Sequence, residues 1–127
     1  MSTHVPAELR YTKEHEWARL DGDVMTVGIT DHAQDALGEV TFVELPEVGQ
    51  AVETNGTFGT IESVKTFSDL YAPLAGEIAE VNQAVIDDPA LINEAPYEAW
   101  LVRIRVSDPG AWSSLLDADA YRAEIGG

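Results

Sequence analysis

The chain has no cysteine, and only Lys13 and Lys65 are lysines. The first absence excludes a disulfide, a thiolate metal site and a Cys–His nucleophile pair. Base is scarce throughout: 7 Lys and Arg face 23 Asp and Glu, a formal charge of −16. So acidic a surface repels phosphate backbones, which removes nucleic acid from the expected partners and favours basic patches on other proteins. No run nears the about 18–20 apolar residues of a membrane span. The opening, Met1 to Arg10, has neither the apolar core of a secretory signal nor the arginine-rich, acid-poor character of a transit peptide, so the cytoplasm is expected. Catalytic signatures are missing too. His4, His15 and His32 follow no zinc spacing, Gly56-Thr57-Phe58-Gly59 lacks the Lys-Ser/Thr and helix of a phosphate loop, and no Gly-x-Ser-x-Gly occurs. The expectation is a protein that is not an enzyme and holds no metal.

What is present reads as one unit over residues 1–127, monomeric, with 1–9 as a loose lead-in. Short strand patterns cover 10–12, 16–20, 24–29, 40–45, 49–53, 57–64, 67–72 and 77–81, with Met25, Val27 and Ile29 on one face. Asp21-Gly22-Asp23 and Asn55-Gly56 supply turns that accept positive φ. Thr30-Asp31 caps a helix that runs to Leu37 and stops at Gly38. Asp87-Asp88-Pro89 opens a loop with one helical turn at 90–92. Trp100 to Val106 alternates, with Trp100, Val102, Ile104 and Val106 inward and Arg103 and Arg105 outward. Asp108-Pro109 starts a helix with Trp112, Leu115 and Leu116 as its apolar stripe, and 118–125 forms a last one before Gly126-Gly127. Many short strands with a few helices predict a mainly β sandwich or flattened barrel.

Lys65 stands in Gly59-Thr-Ile-Glu-Ser-Val-Lys65-Thr-Phe-Ser-Asp-Leu-Tyr-Ala-Pro73, between two strand patterns and without a catalytic partner. A lone amine on a four-carbon stem at a tight turn suits covalent attachment of an arm, and amide formation removes its charge. Gly-x-Ile-x-x-Val occurs on both sides of it, at 59–64 and 76–81, and two such strands meeting at a central hairpin would put Lys65 at the tip.

Glu62-Ser63-Val64-Lys65, Ser68-Asp69, Tyr71-Ala72-Pro73, Gly76 and Glu80-Val81-Asn82 resemble the lipoyl-lysine motif of the glycine cleavage system H protein family. Further blocks agree: His15-Glu16-Trp17, Val27 through Gly38, Val43 through Gly49, and Leu91-Ile92-Asn93 with Pro96-Tyr97, so the resemblance spans residues 10–106. It implies a lipoyl/biotinyl-carrier-like β sandwich, a flattened hybrid barrel with short helices and a C-terminal helical segment, carrying lipoate amide-linked to Lys65. Such a carrier takes an aminomethyl group from glycine decarboxylase (P protein) and presents it to the aminomethyltransferase (T protein). It then passes reducing equivalents to dihydrolipoamide dehydrogenase (L protein), and a lipoylating enzyme loads it. A chain without thiols also offers its own arm nothing to exchange with.

By the same resemblance, Glu16 and Asp69 match the acids that meet the loaded arm in a surface cleft, and Glu62 and Gly49 match positions tied to recognition by the lipoylating enzyme. Two departures stand out. Ala36 occupies a place where some members have histidine, and Pro96-Tyr97-Glu98-Ala99-Trp100 is one residue shorter than the family pattern and lacks its glycine. Asp-Lys-Ala of a 2-oxoacid dehydrogenase lipoyl domain and Met-Lys-Met of a biotin carrier are absent. An H-like paralogue that relays lipoate or serves another lipoate-dependent complex, or a non-lipoylated interaction domain, are the alternatives this reading leaves open.

Overall fold

The computed structural model describes residues 5–126, so His4 lies outside the described residues. Among the described residues nine strands form, in chain order: β1 (Arg10–Tyr11), β2 (Glu16–Asp21), β3 (Val24–Ile29), β4 (Val40–Glu44), β5 (Ala51–Val52), β6 (Thr57–Ser63), β7 (Phe67–Tyr71), β8 (Gly76–Val81) and β9 (Val102–Val106). Four α-helices accompany them: α1 (Asp31–Leu37), α2 (Gln83–Asp87), α3 (Ala90–Glu94) and α4 (Ala118–Ile125), with a 3₁₀ helix at Pro109–Ser114. The strands make a six-stranded sheet, β1-β2-β3-β9-β8-β5, and a three-stranded sheet, β4-β6-β7. All described pairings are antiparallel. This is the mainly β sandwich that the short-strand pattern predicts.

Alternation along each strand builds two cores. Ala18, Met25, Val27, Ile61, Leu70, Ile78 and Ile104 close the space between the sheets. Trp17, on the opposite side of β2, joins Val5, Leu9, Tyr11, Ala118 and Tyr121 in a second cluster under α4. There Tyr11 and Tyr121 stack with ring centroids 4.7 Å apart, and Trp17 Nε1–H donates to Pro96 O at 2.9 Å. The expected loose lead-in is tied down from Val5 onward. Val5 and Leu9 are buried, and Arg122 Nη2 donates to Val5 O at 2.9 Å.

Local signals carry several elements closely. Thr30 Oγ1 accepts from Ala33 N–H to cap α1, and Gly38 ends it at φ +80. Asp117 caps α4, which Gly126 closes in the left-handed region. Other expectations change. The strand expected over 49–53 shrinks to Ala51–Val52, because Gly49 at φ +96 bends the chain just before it. Helix α2, capped by Asn82, fills a stretch to which the sequence pattern assigns no element. Trp100 lies outside β9 with its ring 4.2 Å from the Arg103 guanidinium, so Arg103 is stacked and half-buried instead of simply outward. Leu101, wholly buried, takes the inward place instead. At 109–114 the turn tightens to 3₁₀, with Asp108 accepting from Gly110 N–H.

The repeated Gly-x-Ile-x-x-Val strands do not pair with each other. They are β6 and β8, one in each sheet, and Lys65 stands on the β6–β7 hairpin. Their glycines nonetheless do one job. A methyl group on Gly59 would collide with Glu44 O, and one on Gly76 with Arg105 O, so each lets a neighbouring strand's backbone come close. Ile61 and Ile78 are both buried at 1% exposure, one from each sheet.

Candidate functional site

The hairpin that carries Lys65 is fixed by one hydroxyl. Ser63 Oγ accepts from the Lys65 and Thr66 N–H groups, both at 3.2 Å, and donates to Thr66 O at 3.1 Å. Ser63 N–H donates to Thr66 O at 2.7 Å, and Val64 N–H donates to Glu39 O at 3.0 Å, which binds the tip to the start of β4. Val64 and Lys65 form the exposed crest. The lysine stem passes over the end of α1: a methyl group on Gly38 would lie 3.1 Å from Lys65 Cε. Asn93 holds that helix end in place. Its Nδ2 donates to Gly38 O at 2.8 Å and Gln34 Oε1 at 3.0 Å, and its Oδ1 accepts from Val40 N–H at 2.8 Å.

Beside the tip a cleft of about 240 Å³ opens between α1, the turn before β2 and the edge strand β7. Ile29, Ala33, Leu37, Ile61 and Leu70 give it apolar walls, and Phe67 lines it from β7. Glu14, Glu16 and Asp69 bring three carboxyl groups to it. Glu14 and Asp69 are exposed, whereas Glu16 is 1% exposed. Thr12 Oγ1 donates to Glu16 Oε1 at 2.5 Å, and Tyr71 N–H donates to Oε2 at 3.3 Å. Burial pushes the Glu16 carboxyl up to about 7; the two hydrogen bonds oppose that rise and the charge of Glu14 adds to it. A second concavity of about 250 Å³, lined in part by Lys13, Pro73 and Leu116, shares Glu14 with this cleft but includes neither Lys65 nor Glu16.

Three of the residues that the sequence pattern singles out thus come together: Lys65 at the crest, Glu16 at the floor and Asp69 on the wall. Glu62 is exposed on β6, opposite Phe67 across the hairpin. Gly49 lies past the far end of β4, where its N–H donates to Ile78 O at 2.8 Å, and it does not line the cleft. Ala36 does line it.

In the sequence His15 stands out only in a matching block and among the histidines that follow no zinc spacing, yet it lines the same cleft. It sits at φ +72, inside a turn closed by His15 N–H to Thr12 O (3.1 Å) and Thr30 N–H to His15 O (3.0 Å). Its Nδ1 is 2.9 Å from the Tyr121 hydroxyl, which in turn is 2.8 Å from Thr30 Oγ1. Burial, and then the ring of His32 at 4.7 Å, lower its pKa, so the imidazole is neutral at neutral pH. The cleft therefore has an imidazole from the turn before β2 where the Ala36 position has none. No local signal could have placed it there, because its partner Tyr121 is 106 residues away.

The sandwich with a lysine on a hairpin tip is a lipoyl-carrier-like β sandwich. A family model described as "Glycine cleavage H-protein" matches residues 9–126. The chain belongs to the glycine cleavage H-protein family. It is 52% identical over 124 residues to the glycine cleavage system H protein of Alcanivorax borkumensis, covering 97% of each chain. To that of Bacteroides thetaiotaomicron it is 53% identical over 123 residues, covering 96% of this chain and 98% of the relative. The crystal structure of a glycine cleavage system H protein from Mycobacterium marinum superposes with a TM-score of 0.89 at 42% identity, covering 97% of this chain and all of that one.

Proposed function

We propose that this chain is the lipoyl carrier of the glycine cleavage system, with lipoate joined through an amide to Lys65. The observation that carries the reading is the placement of an exposed lysine on a braced hairpin tip beside a cleft with apolar walls and three carboxyl groups. Lys65 would hold the lipoyl group, and the group would supply a dithiolane able to carry an aminomethyl group and reducing equivalents among the P, T and L proteins.

The residues fit such an arm. Ile29, Leu37, Ile61 and Leu70 suit its hydrocarbon stem and exclude water from it, while Glu16 and Asp69 suit a cationic amine at its far end. Glu16 is the enclosed one of the two. An amine cation beside it favours its ionised form, so cargo and carboxylate stabilise each other in a site that penalises either charge alone. His15, neutral and held by Tyr121, adds a polar group without adding positive charge. Glu62 beside the tip is the contact for the lipoylating enzyme, and Gly49 acts through the shape of the turn before β5. The chain acts as a carrier subunit that holds and presents cargo, working in the cytoplasm with P, T and L proteins.

Intact mass after expression in lipoate-competent cells tests the attachment. The expected result is one lipoyl addition, abolished by Lys65→Arg. The loaded protein should then support glycine–bicarbonate exchange by a P protein. An unmodified chain, recovered where a known H protein is lipoylated alongside it, overturns the reading.

A further inference from the structure

Tyr121 lies on α4, far from the cleft in sequence, and its side chain is wholly buried. Its ring stacks on Tyr11 with the planes 12° apart, a contact that needs no hydroxyl. The hydroxyl leads out of that aromatic cluster. It is 2.9 Å from His15 Nδ1 and 2.8 Å from Thr30 Oγ1, two residues that frame the cleft from different sides. His15 lines it from the turn before β2. Thr30 caps α1, whose Ala33, Ala36 and Leu37 form another wall.

Both anchorages need holding. His15 keeps φ +72, a conformation that residues with side chains seldom adopt and that persists only where the surroundings enforce it. Glu14 and Glu16 flank it in sequence, so the angle taken at His15 decides where their carboxyl groups stand. Thr30 belongs to the same unit: its N–H donates to His15 O at 3.0 Å, and its Oγ1 accepts from Ala33 N–H at 3.2 Å. Burial pushes the Tyr121 hydroxyl up to about 12, so it keeps its proton and stays neutral at neutral pH.

We propose that Tyr121 is a positioning residue for the arm: through one hydroxyl, α4 straps the acid-bearing turn to the capped end of α1 and fixes the width of the cleft between them. The inference rests on the carrier reading of Lys65. Tyr121 is not one of the residues that line the cleft, so it acts through His15 and Thr30. Packing alone does not ask for a tyrosine. Phenylalanine would fill the same space and stack on Tyr11 as well, which leaves the hydroxyl to serve the cleft. A loaded arm is held by groups from more than one wall, and their spacing is useful only if hydrogen bonds and packing behind them keep it. Tyr11 supplies the contrast within the same stack. Its hydroxyl donates to Pro6 O on the lead-in, and Tyr11 does not line the arm cleft.

The test compares Tyr121→Phe with Tyr11→Phe. Each removes one buried hydroxyl and keeps the stack, but only the first cuts the tie to the cleft. In the unmodified proteins, amide hydrogen exchange read by NMR should quicken roughly fivefold or more at His15, Thr30 and Ala33 in Tyr121→Phe, and stay near wild type there in Tyr11→Phe. After lipoylation and loading with the aminomethyl group by a P protein, Tyr121→Phe should lose ammonia by hydrolysis roughly three to ten times faster than wild type, with Tyr11→Phe within about twofold of it. Equal effects of the two substitutions overturn the inference, as does no effect from either or a change in only one of the two readouts. Should Tyr121→Phe not fold, wild type decides: the amides of His15, Thr30 and Tyr121 should open as one unit, and protection of Tyr121 differing from theirs by more than about a hundredfold overturns the strap. A wild type that takes no lipoate sinks the carrier reading, and amide exchange in unmodified protein tells that failure from a failure of the strap.

Discussion

Replacing Glu16 by Gln should make the protein more stable at alkaline pH and leave it nearly unchanged in acid. Glu16 is 1% exposed, and burial lifts its carboxyl from an ordinary 4.5 to about 7. Between those values the folded state holds the proton more tightly than the unfolded chain does. Stability therefore falls as pH rises through the window and levels off above about 7. The linkage over that interval comes to about 3 kcal/mol. Glutamine has no proton to lose, yet its carbonyl can accept from Tyr71 N–H and its amide can donate to Thr12 Oγ1, the two partners Glu16 has now. Urea unfolding followed by tryptophan fluorescence from pH 4.5 to 8.5 measures the difference, in which titrations common to both proteins cancel. The variant should gain about 2–3 kcal/mol at pH 8 and close to nothing at pH 4.5. A pH-independent difference, or a less stable variant at pH 8, refutes the argument. The same variant should hold an amine-bearing arm less well, because it removes the anion that the cargo stabilises. A stability sacrificed at Glu16 is what the arm-binding role proposed for it would require.

Three further outcomes follow from the geometry. Gly76→Ala drives a methyl group into Arg105 O and to 2.7 Å from Ile104 Cγ2, so thermal unfolding should show a loss of about 2–3 kcal/mol; an unchanged melt would mean that β8 and β9 separate freely. Asn93→Ala leaves Val40 N–H and Gly38 O without their partner and should cost about 2 kcal/mol in chemical denaturation, with raised hydrogen exchange at Val40 as its local signature. With a formal charge of −16, affinity for the P or T protein should fall as salt rises, and titration calorimetry across ionic strengths that finds no slope would exclude electrostatic docking.

How much of the fold and the site is legible in the sequence depends on how far apart the interacting residues are. Helix α1 is readable to its ends because Thr30 and Gly38 are its own neighbours in sequence. Lys65 is readable because the residues that make it a tip, Ser63 through Thr66, are adjacent to it. Glu16 is recognisable as a cleft acid, but its burial is not, since charged side chains are rarely enclosed and only Tyr71, 55 residues on, completes its shell. His15 escapes because α4, at the other end of the chain, holds it. The inward turn of Leu101 is hidden by a clean alternation that begins one residue too early, at Trp100, whose ring prefers the Arg103 guanidinium. Helix α2 is only five residues long, too short for its apolar Ala84-Val85-Ile86 to show a helical period, and no element is read there from sequence.

The brace around Ser63 has a kinetic consequence. A lysine on a turn held by the Ser63 hydroxyl and pinned to Glu39 is a fixed hub, so an arm of the kind proposed for it would, once out of the cleft, sweep a region set by its tether. Each enzyme that binds near the hub meets the arm's end at a local concentration governed by tether length and stiffness. On the proposed carrier reading, enzymes that must approach one crest would displace one another instead of gathering there together. Passage from one reaction to the next is then timed by how quickly each enzyme lets go.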